Sequence, residues 1–247
     1  MGAVETIGLF AAGGCAGAVN AVAGGGSLVT FPALLAFGYS PLAANVTNQV
    51  GLVTGYLGGS IGYRSELAGQ RGRARALGAT ASVGAAAGTA LLLLAPAHSF
   101  KVIVPYLVLA SCALLALQPT LTRAAGRHRT EHPGLPLHAG VFAASVYGGY
   151  FGGALGIVLL AILGALLIDG LQRLNALKGL LSLIIGVVGA VGFAIFGPVH
   201  WGAAAVIAVG ALAGGHTGAG LARRVTPEVL RWAIVSYGTI AAIVLLV

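Results

Sequence analysis

Residues 19–32 read Val19-Asn20-Ala21-Val22-Ala23-Gly24-Gly25-Gly26-Ser27-Leu28-Val29-Thr30-Phe31-Pro32, in the middle of a long apolar run over residues 6–37. As one straight helix the run would measure roughly 48 Å, well beyond the ~30 Å hydrocarbon core of a bilayer. Three consecutive glycines are unfavourable inside a helix, which predicts two half-helices joined by an open turn. A helix starting at Ser27 or Leu28 would direct free N–H groups and the positive end of its dipole back into a cavity. The stretch therefore predicts an anion site.

The composition indicates an integral membrane protein. Of 247 residues, 58% are hydrophobic and 7% are charged, and the mean hydropathy is +0.98, whereas soluble domains carry about 25% charged residues. The 41 glycines favour close helix packing in lipid. The net charge of +8 comes largely from arginines in short loops between apolar runs. The positive-inside rule explains these arginines, and we expect no binding to nucleic acid.

No sequence feature predicts a cofactor or a metal site. Cys15 and Cys112 each lie within an apolar run without metal-ligand spacing, which favours buried small residues over a disulfide or a redox pair. No nucleotide-binding motif occurs. The N-terminus carries Glu5 rather than the basic region of a signal peptide, so we expect the first apolar segment to be retained.

The chain consists of hydrophobic segments that form a repeat. They cover about 6–37, 42–63, 76–96, 101–119, 137–168, 174–197, 200–221 and 228–247. A shift of 127 residues superposes the two halves without a gap and matches Asn48 with Asn175 and Gly25-Gly26 with Gly152-Gly153. We interpret this as an internal duplication, with repeats at 1–120 and 137–247 joined by a basic cytoplasmic linker at 121–136.

The positive charges decide the predicted topology. If all eight segments cross the membrane, the 13 lysines and arginines divide seven to six between its two sides. If segments one and five are re-entrant hairpins, only Lys101 lies outside. The second arrangement obeys the positive-inside rule. It predicts an all-α polytopic protein of two inverted repeats, each of four segments, with segments one and five as glycine-broken re-entrant hairpins and both termini extracytoplasmic.

Three motifs resemble a known family. The glycine-rich break followed by Phe31-Pro32-Ala33-Leu34-Leu35 is similar to the first-repeat signature of the TauE/SafE family of sulfite and organosulfonate transporters. The second-repeat signature resembles residues 147–152 and 173–178. The resemblance covers essentially the whole chain and implies a bacterial inner-membrane permease for small sulfur-containing anions. The second repeat departs from the pattern in two ways, since Gly152-Gly153-Ala154 replaces a triple glycine, and Gly179 and Gly186 occupy positions where many members carry asparagine. A site built partly from those amides would be altered here, which puts the substrate in doubt.

Polar residues around the two breaks are the candidate substrate ligands. In lipid such residues either join helices or line a pathway, and their clustering beside a broken helix favours lining. Tyr147 and Tyr150 could instead belong to an interfacial aromatic belt, and Lys178 could extend outward to the surface. The candidates are Asn20, Gly24, Gly25, Gly26, Ser27, Thr47, Asn48, Gln49, Tyr147, Tyr150, Gly152, Gly153, Asn175 and Lys178.

The sequence predicts a secondary transporter that binds a small anion near the midplane of the bilayer and works by alternating access. Few carboxylates lie in the apolar segments, which argues against cation selectivity and against an Asp/Glu proton relay. An enzyme using Ser27 would need a nearby base and an orienting carboxylate, and neither is evident. An anion channel and a non-transporting membrane subunit of a complex remain alternatives. The substrate, the direction, any coupling ion and the formation of a homo-oligomer are left open.

Overall fold

The computed structural model describes residues 1–22, 24–124, 134–221 and 227–246. Within these ranges the chain forms ten helices: α1 Ala3–Val22, α2 Ser27–Ala36, α3 Pro41–Gly62, α4 Arg71–Leu94, α5 Ala97–Ala124, α6 Leu135–Tyr150, α7 Leu155–Leu166, α8 Leu171–Phe196, α9 Trp201–Leu221 and α10 Pro227–Leu246. The all-helical prediction is confirmed. Most of the predicted linker falls on residues 125–133, which lie outside the described residues.

Among the described residues, four helical stretches are long and apolar enough to cross a membrane. They are Ala3–Asn20, Arg71–Leu94, His98–Leu121 and Leu171–Phe196. The helices α2 and α7 are apolar but too short to span a bilayer core at 1.5 Å per residue. Both short helices directly follow a glycine-containing break.

The two breaks have a backbone geometry that requires glycine or strains another residue. Gly24 and Gly152 have φ of +84° and +75°, in the left-handed region that is open mainly to glycine. In the second break Ala154, which replaces the last glycine of the expected triplet, also has a positive φ of 55°. This conformation is uncommon for a residue with a Cβ. Helix α2 begins at Ser27, as predicted.

The two helices of each broken segment run antiparallel. The Tyr39 hydroxyl, just after α2, donates a hydrogen bond of 2.6 Å to Glu5 near the start of α1. In the second broken segment, a Cβ on Gly140 near the start of α6 would lie 2.9 Å from Ile162 near the end of α7. The start of the first helix therefore lies beside the end of the second in both cases.

Small residues let the longer helices approach closely. Helix α1 packs mainly against α9, and α6 packs mainly against α4. A Cβ on Gly17 would overlap the carbonyl oxygen of Ala211 in α9, and one on Gly149 would overlap the carbonyl oxygen of Ala85 in α4. Such contacts replace the hydrophobic driving force that helices lack in lipid. Helices α3 and α8 contact one another and lie between these two pairs.

Candidate functional site

Two small cavities lie along the paired helices α3 and α8. Cavity 1 is bordered by the first break, by the first turn of α7 and by the later part of α3, and it is lined by Asn20, Gly24, Gly55, Tyr56, Gly59, Tyr63, Gly156, Asn175, Lys178, Gly179 and Ser182. Cavity 2 is lined by Ser27, Asn48, Gln49, Leu52, Tyr56, Gly148, Gly152, Leu155, Ile185 and Gly186. The cavities therefore divide the predicted ligands into two groups.

Cavity 1 contains a buried positive charge. The Lys178 side chain is only 6% exposed, so it does not extend to the surface. Among the described residues no ion-pair partner lies within 4.0 Å of its ammonium group. A buried charge without a counter-ion is strongly unfavourable, and intramembrane charges of this kind mark substrate or ion pathways.

Uncharged donors surround this lysine. The Asn20 Oδ1 atom accepts a hydrogen bond of 2.8 Å from the Gly26 N–H, which fixes the orientation of the amide and leaves its Nδ2 without a partner. Ser182 Oγ and Asn175 Oδ1 are also buried without partners. Buried polar groups are normally hydrogen-bonded, so unpaired groups around one cavity indicate a place where a polar ligand can bind. Asn20 Nδ2 and the Ser182 hydroxyl can donate to an anion, whereas Asn175 Oδ1 is an acceptor.

Cavity 2 combines apolar side chains with a few neutral polar ones and is lined by no charged side chain. Ser27 Oγ donates a hydrogen bond of 3.3 Å to the Gly152 carbonyl and thereby links the two breaks. Asn48 Oδ1 accepts a hydrogen bond from Thr30 in α2. The Nε2 atom of Gln49 is buried without a partner. This cavity can therefore offer amide and hydroxyl groups to a small polar or anionic ligand.

Six predicted ligands do not line these two cavities: Gly25, Gly26, Thr47, Tyr147, Tyr150 and Gly153. Thr47 Oγ1 accepts from the His200 N–H at 3.0 Å. The Tyr147 hydroxyl donates to the Gly153 carbonyl at 2.5 Å, inside the second break. The Tyr150 ring packs on Phe100, with ring centroids 5.8 Å apart. Their contact with substrate stays a prediction.

The sequence analysis missed several lining residues, above all Tyr56 and Ser182. A helical spacing could have found them. Asn175, Lys178 and Ser182 follow an i, i+3, i+7 pattern and share one face of α8. Tyr56 and Tyr63 are separated by seven residues and share a face of α3 in the same way.

One end of the molecule is held by an ionic cluster that joins the first turns of α4 and α8 to the turn before α8. The Asp169 carboxylate, in the turn before α8, pairs with Arg73 at 2.9 Å and with Arg173 at 2.8 Å. Burial raises the pKa of Asp169, but the hydrogen bonds from Arg73 and the Gly170 N–H and the charge of Arg173 outweigh burial and lower the pKa below its usual value.

The described residues contain no group of three or more His, Cys, Asp or Glu side chains that could hold a metal ion. Cys15 and Cys112 are both free thiols.

Comparison with known proteins defines the class of protein. The chain is 29% identical over 213 residues to the probable membrane transporter protein YfcA of Escherichia coli K12, covering 86% of this chain and 79% of that protein. It is 27% identical over 211 residues to a probable membrane transporter protein of Haemophilus influenzae, covering 85% and 82%. A probable membrane transporter protein, ORF9 of Sinorhizobium sp., is 28% identical over 217 residues, covering 85% and 80%. These relatives and the apolar helices define a multi-pass membrane transporter and not an enzyme.

Residues 9–245 match the family described as sulfite exporter TauE/SafE. The chain belongs to this family, as the sequence motifs predicted. No solved structure matches the chain.

Proposed function

We propose that the protein is a secondary transporter that binds a small, sulfur-containing anion such as sulfite, thiosulfate or an organosulfonate. The observation that carries this proposal is the buried Lys178, which has no ion-pair partner among the described residues and lines the same cavity as Asn20, whose Nδ2 has no hydrogen-bond partner. An anion in cavity 1 would neutralise the ammonium and accept hydrogen bonds from the amide and from Ser182. Charge-assisted hydrogen bonds of this kind are about twice as strong as neutral ones.

The ends of the two short helices support an anion as the ligand. Gly156, in the first turn of α7, lines cavity 1, and Ser27, the first residue of α2, lines cavity 2. A helix N-terminus carries a partial positive charge and N–H groups that attract anions. Cavity 1 therefore combines the N-terminus of α7 with residues of α3 and α8, and cavity 2 combines the N-termini of α2 and α7, since Leu155 also lines it, with residues of α3 and α8.

We further propose that the chain consists of two inverted repeats, at 1–120 and 137–247. Helix packing supports this arrangement. The shift of 127 residues pairs α1 with α6, α2 with α7, α3 with α8, α4 with α9 and α5 with α10. When each helix is replaced by its counterpart in the other repeat, the α1–α9 contact becomes an α6–α4 contact and the α3–α9 contact becomes an α8–α4 contact. All four contacts are present.

The two broken segments are proposed to enter the membrane from opposite faces. The ends of the first broken segment lie near Tyr39, whose ring packs on His200 before α9, with ring centroids 4.7 Å apart. The ends of the second lie near the start of α4, where Thr80 contacts His138 at 2.7 Å and Asp169 pairs with Arg73. If the arginine-rich end faces the cytoplasm, both termini are extracytoplasmic and the protein lies in the plasma (inner) membrane.

Alternating access follows from this architecture, because substrate sites of inverted-repeat transporters lie where the repeats meet. Export of an anion from a negative-inside cell needs no coupling ion, since each charge gains about 2.3 kcal/mol per 100 mV.

Anion-dependent thermal stability of the detergent-purified protein tests the proposal. Sulfite, thiosulfate, an alkylsulfonate, sulfate and acetate would each be titrated, with chloride at equal ionic strength as the control. A bound anion raises the melting temperature in a saturable way. We expect saturable stabilisation by at least one sulfur oxyanion and none at the same concentration in Lys178→Met. Equal stabilisation by all salts would contradict an anion site. Saturable uptake into proteoliposomes would then favour a carrier over a channel.

A further inference from the structure

One side chain forms part of the lining of both cavities. The linings of cavity 1 and cavity 2 have only Tyr56 in common among the described residues. Residues of α3 line both cavities, and the residue after α3 lines cavity 1. Those that line cavity 1 lie between Gly55 and Tyr63, and those that line cavity 2 lie between Asn48 and Tyr56. The cavities are therefore displaced by about two helical turns, roughly 11 Å. Tyr56 lies at the boundary between them.

Neighbouring groups from three elements surround the Tyr56 side chain at this boundary. On one side it packs against Gly186 of α8, where an added Cβ would lie 3.3 Å from Tyr56 Cδ2. On another side, Tyr56 lines cavity 2 together with Ser27, the first residue of α2. Along cavity 1, which Tyr56 also lines, the first break meets the first turn of α7, since a Cβ on Gly24 would lie 2.7 Å from the Cα of Gly156. Tyr56 is the described side chain that the walls of the two cavities share.

The two cavities differ in charge. Cavity 1 contains the Lys178 ammonium, whereas the polar side chains lining cavity 2 are Ser27, Asn48, Gln49 and the shared Tyr56. An anion would be held by charge in cavity 1 and by neutral donors in cavity 2. A carrier must keep the two sides of its pathway from being open together, because a continuous path would let the anion leak down its gradient.

We propose that Tyr56 is the gate between two successive anion-binding cavities, and that its ring must move before an anion can pass from one to the other. This inference rests on the proposed transport function. It assigns cavity 2 as a second binding position rather than as part of a single site. It also assigns a gating role to a residue on the unbroken helix α3.

Cysteine labelling tests the gate without requiring knowledge of the substrate. In a background with Cys15→Ala and Cys112→Ala, Ser182→Cys reports on cavity 1 and Ser27→Cys reports on cavity 2. The probe is sulfonatoethyl methanethiosulfonate, a small membrane-impermeant anion, applied to right-side-out and inside-out membrane vesicles. With Tyr56 present, we expect the two cysteines to be labelled from opposite faces. With Tyr56→Ala, each cysteine should be labelled from both faces.

Matched variants separate gating from a general loss of packing. Tyr56→Phe keeps the ring and should keep the sidedness of labelling. Tyr63→Ala removes an aromatic ring that lines cavity 1 but not cavity 2. This variant should also keep the sidedness of labelling. If Tyr56→Ala is not monodisperse, Tyr56→Leu serves in its place. Unchanged sidedness of labelling in a folded Tyr56→Ala or Tyr56→Leu protein would overturn the gate. So would a loss of sidedness in Tyr63→Ala equal to the loss in Tyr56→Ala.

Failure of the proposed function can be distinguished from failure of the gate. The labelling reaction needs only access of the reagent, so it remains readable even if no anion stabilises the wild-type protein. If no anion stabilises the protein but the sidedness of labelling depends on Tyr56, anion binding is refuted and the gate is supported. Saturable anion binding with sidedness that does not depend on Tyr56 would support the proposed function and refute the gate.

Discussion

Gly24 and Gly156 lie in direct backbone contact at the point where the two broken segments meet. A Cβ on Gly156 would lie 2.8 Å from the Cα of Gly24, closer than side-chain carbons normally approach. The contact joins the first break to the first turn of α7, and both glycines line cavity 1. The positions of the two breaks are therefore coupled.

Gly156→Ala should force the two breaks apart. Overpacking of a well-packed site destabilises by typically 1–3 kcal/mol, so we expect a lower melting temperature and weaker anion binding. Gly72→Ala is the control, because Gly72 lies in α4 with nothing within 4 Å of an added Cβ. That variant should be neutral or slightly more stable. Equal melting temperatures for Gly156→Ala and Gly72→Ala would show that the breaks can separate freely.

Asn175→Leu and Asn48→Leu should each weaken anion binding, because each asparagine lines one of the two cavities. Loss of one hydrogen bond to a charged ligand removes about 1.5–3 kcal/mol, or roughly ten- to a hundredfold in affinity. Titration calorimetry measures the change. Asn45→Leu is the control, since Asn45 donates to the Tyr150 carbonyl at 2.9 Å and lines neither cavity. It should reduce stability without changing affinity. Unchanged affinity in both cavity variants would exclude these amides from binding.

Lys178→Met should have opposite effects on stability and on binding. Removing a buried charge that has no counter-ion should raise the melting temperature of the anion-free protein. Binding of a divalent anion should weaken more than binding of a monovalent one, because the Coulomb energy scales with the anion's charge. The control is Lys101→Met, which removes an exposed lysine near the start of α5. Calorimetry measures the affinity of each variant for sulfate and for a monovalent alkylsulfonate. Equal losses of affinity for the two anions in Lys178→Met would contradict a direct role of the ammonium.

Stability should depend on pH through Asp169. Its pKa is lower in the folded protein than in the unfolded chain, so its contribution is fully present above the unfolded pKa of about 3.9 and is lost as the pH falls through the folded value. The melting temperature should therefore decline below about pH 4. Asp169→Asn should lower the melting temperature at pH 7 and should reduce its dependence on pH below about pH 4. An acid-side profile identical to that of wild type would show that the ionic cluster contributes nothing to stability.

The proposed topology predicts the sidedness of three exposed positions. In the background without Cys15 and Cys112, Ala3→Cys and Ser40→Cys should react with an impermeant thiol reagent from outside the cell. Gly72→Cys should react only from the cytoplasmic side. Reaction of Ala3→Cys and Ser40→Cys from opposite faces would mean that residues 3–40 cross the membrane, and the re-entrant arrangement would be wrong.

Much of the architecture could be predicted from the sequence because it depends on local properties. The helix break around Gly24 follows from the poor helix propensity of consecutive glycines, and α2 begins at Ser27 as the pattern indicated. The apolar segments follow from hydropathy and length. The family followed from motifs that are contiguous in the chain, such as Phe31-Pro32 after the first break.

The division of the candidate ligands into two cavities was decided only by tertiary packing. Proximity in sequence placed Thr47 beside Asn48, but successive residues on a helix point in different directions, and Thr47 accepts a hydrogen bond from the backbone before α9. Lys178 could extend to the surface by sequence alone, whereas its burial is set by the packing of α3 and both breaks around α8. The spacing of Tyr56 and Tyr63 could indicate a shared helix face, but it could not show that Tyr56 lines two cavities. Its position between the cavities exists only because α3 and α8 meet where the two breaks touch.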